Sequence, residues 1–86
     1  MRTLITHKGT YKVDFAWAPN NDGSCLIHMV DDRRIPEIAA EFDGLQSIHY
    51  FDAPAGRDYE WKGYSKLANI ITVREGIVQI TLRQEQ

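Results

Sequence analysis

The chain has 86 residues, of which 43% are hydrophobic and 26% charged, so it can form one globular domain over residues 1–86 and shows no compositional sign of disorder. Its formal net charge of −2 argues against non-specific binding to nucleic acid, which usually needs a clear basic excess. Cys25 is the only cysteine, and no apolar run is long enough for a signal peptide or a membrane span. We therefore expect a cytoplasmic protein that does not contact a membrane.

The first two predicted strands form a hairpin, because two apolar stretches flank Lys8 and Gly9, a two-residue connection in which glycine can adopt a positive φ. Large side chains occupy every second position of the second strand: Tyr11, Val13, Phe15 and Trp17. Strict alternation is typical of a strand with one buried face, so these side chains should point into the core. We expect Trp17 in particular to be a core ring.

A third strand, apolar on both faces, is predicted at residues 25–30, followed by a short helix. The helix has one apolar stripe with spacing i, i+3, i+4 and i+7: Ile35, Ile38, Ala39 and Phe42. Pro36 suits the first helical turn, and Gly44 can adopt the left-handed conformation that ends a helix. A helix this short is marginal alone, so Phe42 should dock on a sheet.

The second half predicts a strand at residues 45–51, a loop, a long apolar stretch at residues 59–73 and a closing strand after the turn at Glu75 and Gly76. The long stretch changes the parity of its apolar positions, which indicates a bend or bulge near Gly63 or Asn69. The order β-β-β-α-β-β-β favours an α+β fold with a mainly antiparallel sheet of five to six strands and one amphipathic helix packed on it. A small, partly open β-barrel with one helix is the alternative architecture.

Several charged residues surround the predicted helix, and they could form a reactive site or only stabilise its ends. The carboxylates are Asp31, Asp32, Glu37, Glu41 and Asp43. Helical spacing places Glu37 and Glu41 away from Phe42, toward water, and the arginines at positions 33 and 34 can neutralise the two aspartates before them. The pattern lacks the spacing of a calcium loop, so it favours a solvated helix face over a site.

Neither a metal site nor a nucleophile is indicated. His7, His28 and His49 lie on three different predicted strands, with none of the close spacings that metal ligands usually have. Cys25 lies in an apolar strand, where burial makes a thiol unreactive. We expect no metal, no cofactor and no catalytic residue, although a ligand-binding or catalytic site near His28 and His49 stays an alternative.

Aromatic residues cluster between residues 50 and 64, beside basic ones. The candidate interaction surface consists of Arg57, Tyr59, Trp61, Lys62 and Tyr64. Tyr, Trp and Arg are enriched at interface hot spots, so the cluster favours binding to another protein or to a second copy of this chain. Such rings could also stack single-stranded bases, but nearby acidic residues weaken that interpretation. We expect Trp61 to be partly exposed.

The pattern resembles a set of small phage- and prophage-encoded proteins of unknown activity. The resemblance covers most of the chain and is carried by a short helix and a following strand, at Glu37, Ile38, Ala39, Glu41, Phe42, Gly44, Gly63, Tyr64, Leu67 and Ile70. It implies a role in virion assembly or host interaction, in the host cytoplasm or the virion, and transfers no functional residue.

These observations favour a small, non-enzymatic protein-interaction module. The second hypothesis is a small-ligand-binding or catalytic domain with its site near His28 and His49. The third is a single-stranded nucleic-acid binder, which the net charge disfavours.

Overall fold

The computed structural model describes residues 1–84, which form seven β-strands and one α-helix. The elements in chain order are β1 (Arg2–Thr6), β2 (Gly9–Trp17), β3 (Cys25–Val30), α1 (Ile35–Glu41), β4 (Ser47–Asp52), β5 (Arg57–Lys62), β6 (Lys66–Arg74) and β7 (Ile77–Arg83). All strand pairs are antiparallel, and one open sheet has the strand order β5-β4-β1-β2-β3-β7-β6. The predicted α+β class is confirmed, with seven strands where the sequence indicated five or six.

The additional strand arises at Gly63, where the long apolar stretch divides into β5 and β6. Gly63 has a φ of 86°, a conformation that side chains with a Cβ rarely adopt, so the strand ends there. The register of β6 also shifts between Leu67 and Asn69. The strand is therefore irregular near both Gly63 and Asn69, as the parity change indicated. Gly63, however, separates two strands that lie at opposite edges of the sheet.

The connection between β5 and β6 forces the sheet to curl. Only three residues, 63–65, join these two edge strands, and a chain of that length spans at most about 14 Å. A flat sheet of seven strands would separate its edges by about 29 Å. Backbone hydrogen bonds fix the connection, from Gly63 N to Gln46 O (3.1 Å) and from Gly44 N to Ser65 O (2.8 Å). The result is an open sheet with strong curvature that approaches the alternative, barrel-like architecture.

The concave face of the curled sheet holds the hydrophobic core. Its fully buried side chains come from four strands, from α1 and from the segment after α1: Leu4, Cys25, Ile27, Met29, Ile38, Phe42, Leu45, Ile48, Ile80 and Leu82. The ring of Phe42 lies 4.9 Å from that of Tyr11, centroid to centroid. The predicted docking of the helix through Phe42 is confirmed, because Phe42 is completely inaccessible to solvent.

The predicted inner face of β2 is correct for its first half and wrong for its second half. Tyr11 and Val13 are buried, but Phe15 is 37% and Trp17 is 62% exposed, while Ala16 is buried in their place. The register with β3 shifts between Val13, which pairs with Met29, and Phe15, which pairs with His28. This β-bulge inserts one residue into β2 and reverses the faces of all the following side chains. Trp17 is therefore not a core ring.

Truncation of Phe42 tests the docking of the helix. Phe42→Ala should lower the free energy of unfolding by about 3–5 kcal/mol, because it leaves a cavity in a closed core. The same truncation at Phe15 should cost clearly less, since that ring is partly in water. Urea unfolding of both variants measures the difference, and equal losses would show that the assigned faces of β2 are wrong.

Candidate functional site: an aromatic cleft

Three aromatic rings form one wall of a cleft at the gap between the end of β2 and strands β4 and β5. Tyr50 on β4 pairs with Tyr59 on β5, and Ile48 pairs with Trp61, so the rings of Tyr59 and Trp61 share a face with Tyr50. The three rings stack with centroid distances of 5.5–5.9 Å and interplanar angles of 16–30°. Tyr50 is buried, whereas Tyr59 and Trp61 are partly exposed at the edge of the core.

The second half of β2 forms the opposite wall. β1 pairs with β2 only as far as Arg2, opposite Val13, so residues 15–17 have no β1 neighbour. The gap is a cleft of about 310 Å³, lined by Phe15, Trp17 and Ala18 on this side and by the three stacked rings on the other. Burial raises the pKa of the Tyr50 hydroxyl, while a hydrogen bond with the backbone of Ala16 across the gap acts in the opposite direction. Both tryptophans of the chain line this cleft.

Charged side chains lie at one end of the cleft. Arg2 Nε is 3.2 Å from Asp52 Oδ1, and the same carboxylate oxygen accepts a hydrogen bond from Ala55 N at 3.4 Å. Arg57, directly opposite Asp52 on β5, instead donates from Nη1 to the Tyr59 hydroxyl at 3.4 Å. The cleft therefore combines an apolar, aromatic interior with a rim that carries two cations and one anion.

The structure brings together three of the five residues of the predicted interaction surface. Arg57, Tyr59 and Trp61 alternate along β5 and line the cleft. Lys62 is exposed but has the opposite parity and pairs with Glu60 at 3.4 Å, so it lies on the convex face. Tyr64 was wrongly assigned to the surface: it is only 6% exposed, because the connection after Gly63 turns its ring into the core.

Sequence reasoning missed the contribution of β2 and of the charged rim. Phe15 and Trp17 were assigned to the core, and Arg2 and Asp52 were not singled out. No local signal marks the β-bulge that exposes the two rings, because it becomes visible only in the pairing of β2 with β3. The short length of β1 was a usable signal, since a nine-residue strand beside a five-residue one must leave part of its edge uncovered.

The three histidines do not form a common site. His28 on β3 and His49 on β4 are separated by β1 and β2, a distance of about 14 Å across the sheet. His28 Nε2 is 2.9 Å from Gln79 Oε1 and its ring stacks on Phe15, whereas His49 Nε2 is 3.5 Å from Glu60 Oε2. His7 is exposed and lies with Lys8 in the turn between β1 and β2, not on a strand as predicted. Within residues 1–84, no three His, Cys, Asp or Glu residues are grouped so that they could hold a metal ion.

The charged stretch around α1 attaches the helix to the sheet. Arg33 forms ion pairs with Asp31 and with Glu41, and Glu41 Oε1 accepts a hydrogen bond from the Tyr11 hydroxyl at 2.8 Å. Glu37 is exposed, as expected, but Glu41 is partly buried in this network. Lys8 Nζ donates to the backbone oxygens of Ala40 (3.1 Å) and Asp43 (3.0 Å), at the C-terminal end of the helix. These contacts are structural.

Cys25 is fully buried between β2 and β7. Burial raises the pKa of its thiol to about 12, so the reactive thiolate is scarce at neutral pH. The expectation that Cys25 is an unreactive core residue agrees with this environment.

Comparisons with protein-family models, with curated proteins and with solved structures found no match to this chain. None of the helices in the described part of the chain is long and apolar enough to cross a membrane.

The two tryptophans should differ in exposure in the order opposite to the one that the sequence indicated. With Trp61 replaced by Phe, the remaining Trp17 should be quenched strongly by acrylamide, because 62% of it is exposed. With Trp17 replaced by Phe, the remaining Trp61 should be quenched less, because it packs against the core. If Trp61 were quenched more strongly than Trp17, Trp17 would be a core residue and could not form a wall of the cleft.

Alkaline pH should destabilise the protein, because Tyr11 and Cys25 hold their protons more tightly in the folded state than in the unfolded state. Burial, followed by the hydrogen bond with Glu41, raises the pKa of Tyr11 from 10.0 to about 12. Its contribution to stability is thus fully present below about pH 10 and is lost as the pH rises toward 12. Burial also raises the pKa of the Cys25 thiol from 9.0 to about 12, so Cys25 should contribute a similar loss of stability as the pH rises above 9.0.

Urea unfolding measured at intervals of about one pH unit between about pH 8 and 12 quantifies this loss. Tyr11→Phe should make the decline shallower while lowering stability at neutral pH, because it removes the hydrogen bond to Glu41. A decline as steep as that of the wild type would show that Tyr11 does not titrate in this range.

Proposed function

We propose that the protein is a small, non-enzymatic interaction module that holds a side chain of a partner protein in the aromatic cleft. One observation carries the proposal: of nine aromatic residues in the chain, five line this single cleft, including both tryptophans. The five are Phe15, Trp17, Tyr50, Tyr59 and Trp61. Rings concentrated beside arginines are typical of the energetically dominant part of a protein interface.

The exposure of Trp17 supports the proposal. Leaving a large apolar side chain in water forgoes about 1.5–3 kcal/mol of burial, which is a large share of the stability of a small domain. Trp17 is 62% exposed although Ala16, its small neighbour, is buried. A binding role explains this placement, because a partner that covers Trp17 would recover the burial on association.

A protein partner suits the cleft better than the other two hypotheses. A nucleic acid gains most of its affinity from several phosphate contacts, whereas Arg2 at the rim is paired with Asp52 and Arg57 is the single cation of the cleft without an ion pair. A site that uses His28 and His49 together would have to span two intervening strands. The phage resemblance would make the partner a virion or host protein, and this stays a prediction.

Selection from a displayed library of random peptides tests the proposal without knowledge of the partner. The wild-type protein should enrich peptides that share an aromatic or other large apolar residue. Trp61→Ala and Trp17→Ala should each weaken the binding of the enriched peptides by at least about tenfold, as expected when a hot-spot ring is removed.

Ile71→Ala is the matched control, because Ile71 is also exposed but lies on β6, outside the cleft. It should leave the affinities unchanged. If no common sequence is enriched, or if the enriched peptides bind all variants equally well, the cleft is not the interaction site.

A further inference from the structure

The guanidinium of Arg57 is the one charge at the cleft that lacks an opposite charge in contact. Asp52 is its direct neighbour across β4 and β5, but that carboxylate is held by Arg2 and by the backbone N–H of Ala55. Among residues 1–84, Arg57 forms no ion pair, and its one side-chain hydrogen bond goes to the neutral Tyr59 hydroxyl. It is exposed at the mouth of the cleft.

Only two of the six arginines lack an ion pair with a carboxylate of the described residues. Four of the six arginines form ion pairs with carboxylates of the described chain: Arg2, Arg33, Arg74 and Arg83. Arg34, at the start of α1, and Arg57 do not, and only Arg57 lines the cleft. The acidic residues Asp58 and Glu60 have the opposite parity on β5, so they do not compete for its charge.

A guanidinium with free donors binds carboxylate in a fixed, forked geometry. The Arg2–Asp52 pair is neutral as a unit, so Arg57 leaves the cleft with a net positive charge. The charge and the rings therefore match a ligand that carries an apolar ring and an acidic group.

The spacing on β5 defines how far apart those two groups should be. Arg57 and Tyr59 are two positions apart on the same side of the strand, about 7 Å along its axis. In an extended peptide, side chains at positions i and i+2 also point to one side with about that separation. A ring that packs on Tyr59 and Trp61 would thus place an acidic side chain two residues away beside Arg57.

Resting on the interaction function proposed above, we propose that the cleft binds an extended segment of a partner in which an aromatic and an acidic residue are separated by one residue. The ring enters between the Tyr59–Trp61 wall and Trp17, and the carboxylate binds Arg57. An acidic residue directly next to the ring would point to the opposite side and would not reach Arg57.

Three capped heptapeptides test the pattern: Ser-Gly-Phe-Ser-Glu-Gly-Ser, its isomer Ser-Gly-Phe-Glu-Ser-Gly-Ser, and Ser-Gly-Phe-Ser-Lys-Gly-Ser. They contain no tryptophan, so the fluorescence of Trp17 and Trp61 reports binding. The first peptide should bind about fivefold more tightly than the other two, because it alone can form an exposed, hydrogen-bonded charge pair with Arg57. Arg57→Gln should remove this preference, and Arg34→Gln should preserve it.

The outcomes separate this inference from the proposed function. If the three peptides bind equally well, or if Arg57→Gln keeps the preference, the acidic pattern is wrong while the aromatic cleft stays an interaction site. If none of the three binds, the pattern is also wrong, and the library selection decides independently whether the cleft binds peptides. Tighter binding of an oligothymidylate than of any peptide would overturn both proposals in favour of a nucleic-acid ligand.

Discussion

The three-residue connection between β5 and β6 is the constraint on which the rest of the structure depends. It joins strands at opposite edges of a seven-stranded sheet, so the sheet must curl until those edges lie close together. The connection is held by backbone hydrogen bonds to the segment after α1, and its middle residue, Tyr64, fills the core. The curl therefore creates a concave interior that one short helix can close through Phe42, where a flat sheet would need a larger covering layer.

The same curvature turns a difference in strand length into a cleft. β1 ends four residues before β2 does, and beyond that point the end of β2 faces β4 and β5 across a gap. The β-bulge then directs Phe15 and Trp17 away from the core, and the alternation of β5 directs Tyr59, Trp61 and Arg57 toward the gap. Three ordinary features of sheets thus place aromatic rings and an unpaired cation together, and the proposed binding role follows from that juxtaposition.

The sequence predicted those parts of the fold that depend on local patterns. The stripe that ends at Phe42, the turn at Gly76 and the irregularity at Gly63 follow from periodicity and from backbone conformation, which neighbouring residues determine. The faces of Phe15 and Trp17 could not be predicted, because the bulge is set by the pairing of β2 with β3 and leaves the alternation in the sequence intact. Tyr64 was misplaced for a similar reason: its position after Gly63 does not reveal that the chain leaves one edge of the sheet and enters the core.

The most direct test of the curled sheet and its cleft is a nuclear Overhauser measurement between the ring protons of Tyr50 and the backbone amide proton of Ala16. These groups lie on strands separated by β1, and in a flat sheet they would be about 10 Å apart. The account predicts a clear cross-peak, because Tyr50 and Ala16 line the same cleft and the Ala16 backbone lies close enough to the Tyr50 hydroxyl to lower its pKa. Absence of that cross-peak, together with contacts from the Trp17 ring to core residues such as Met29, would contradict it.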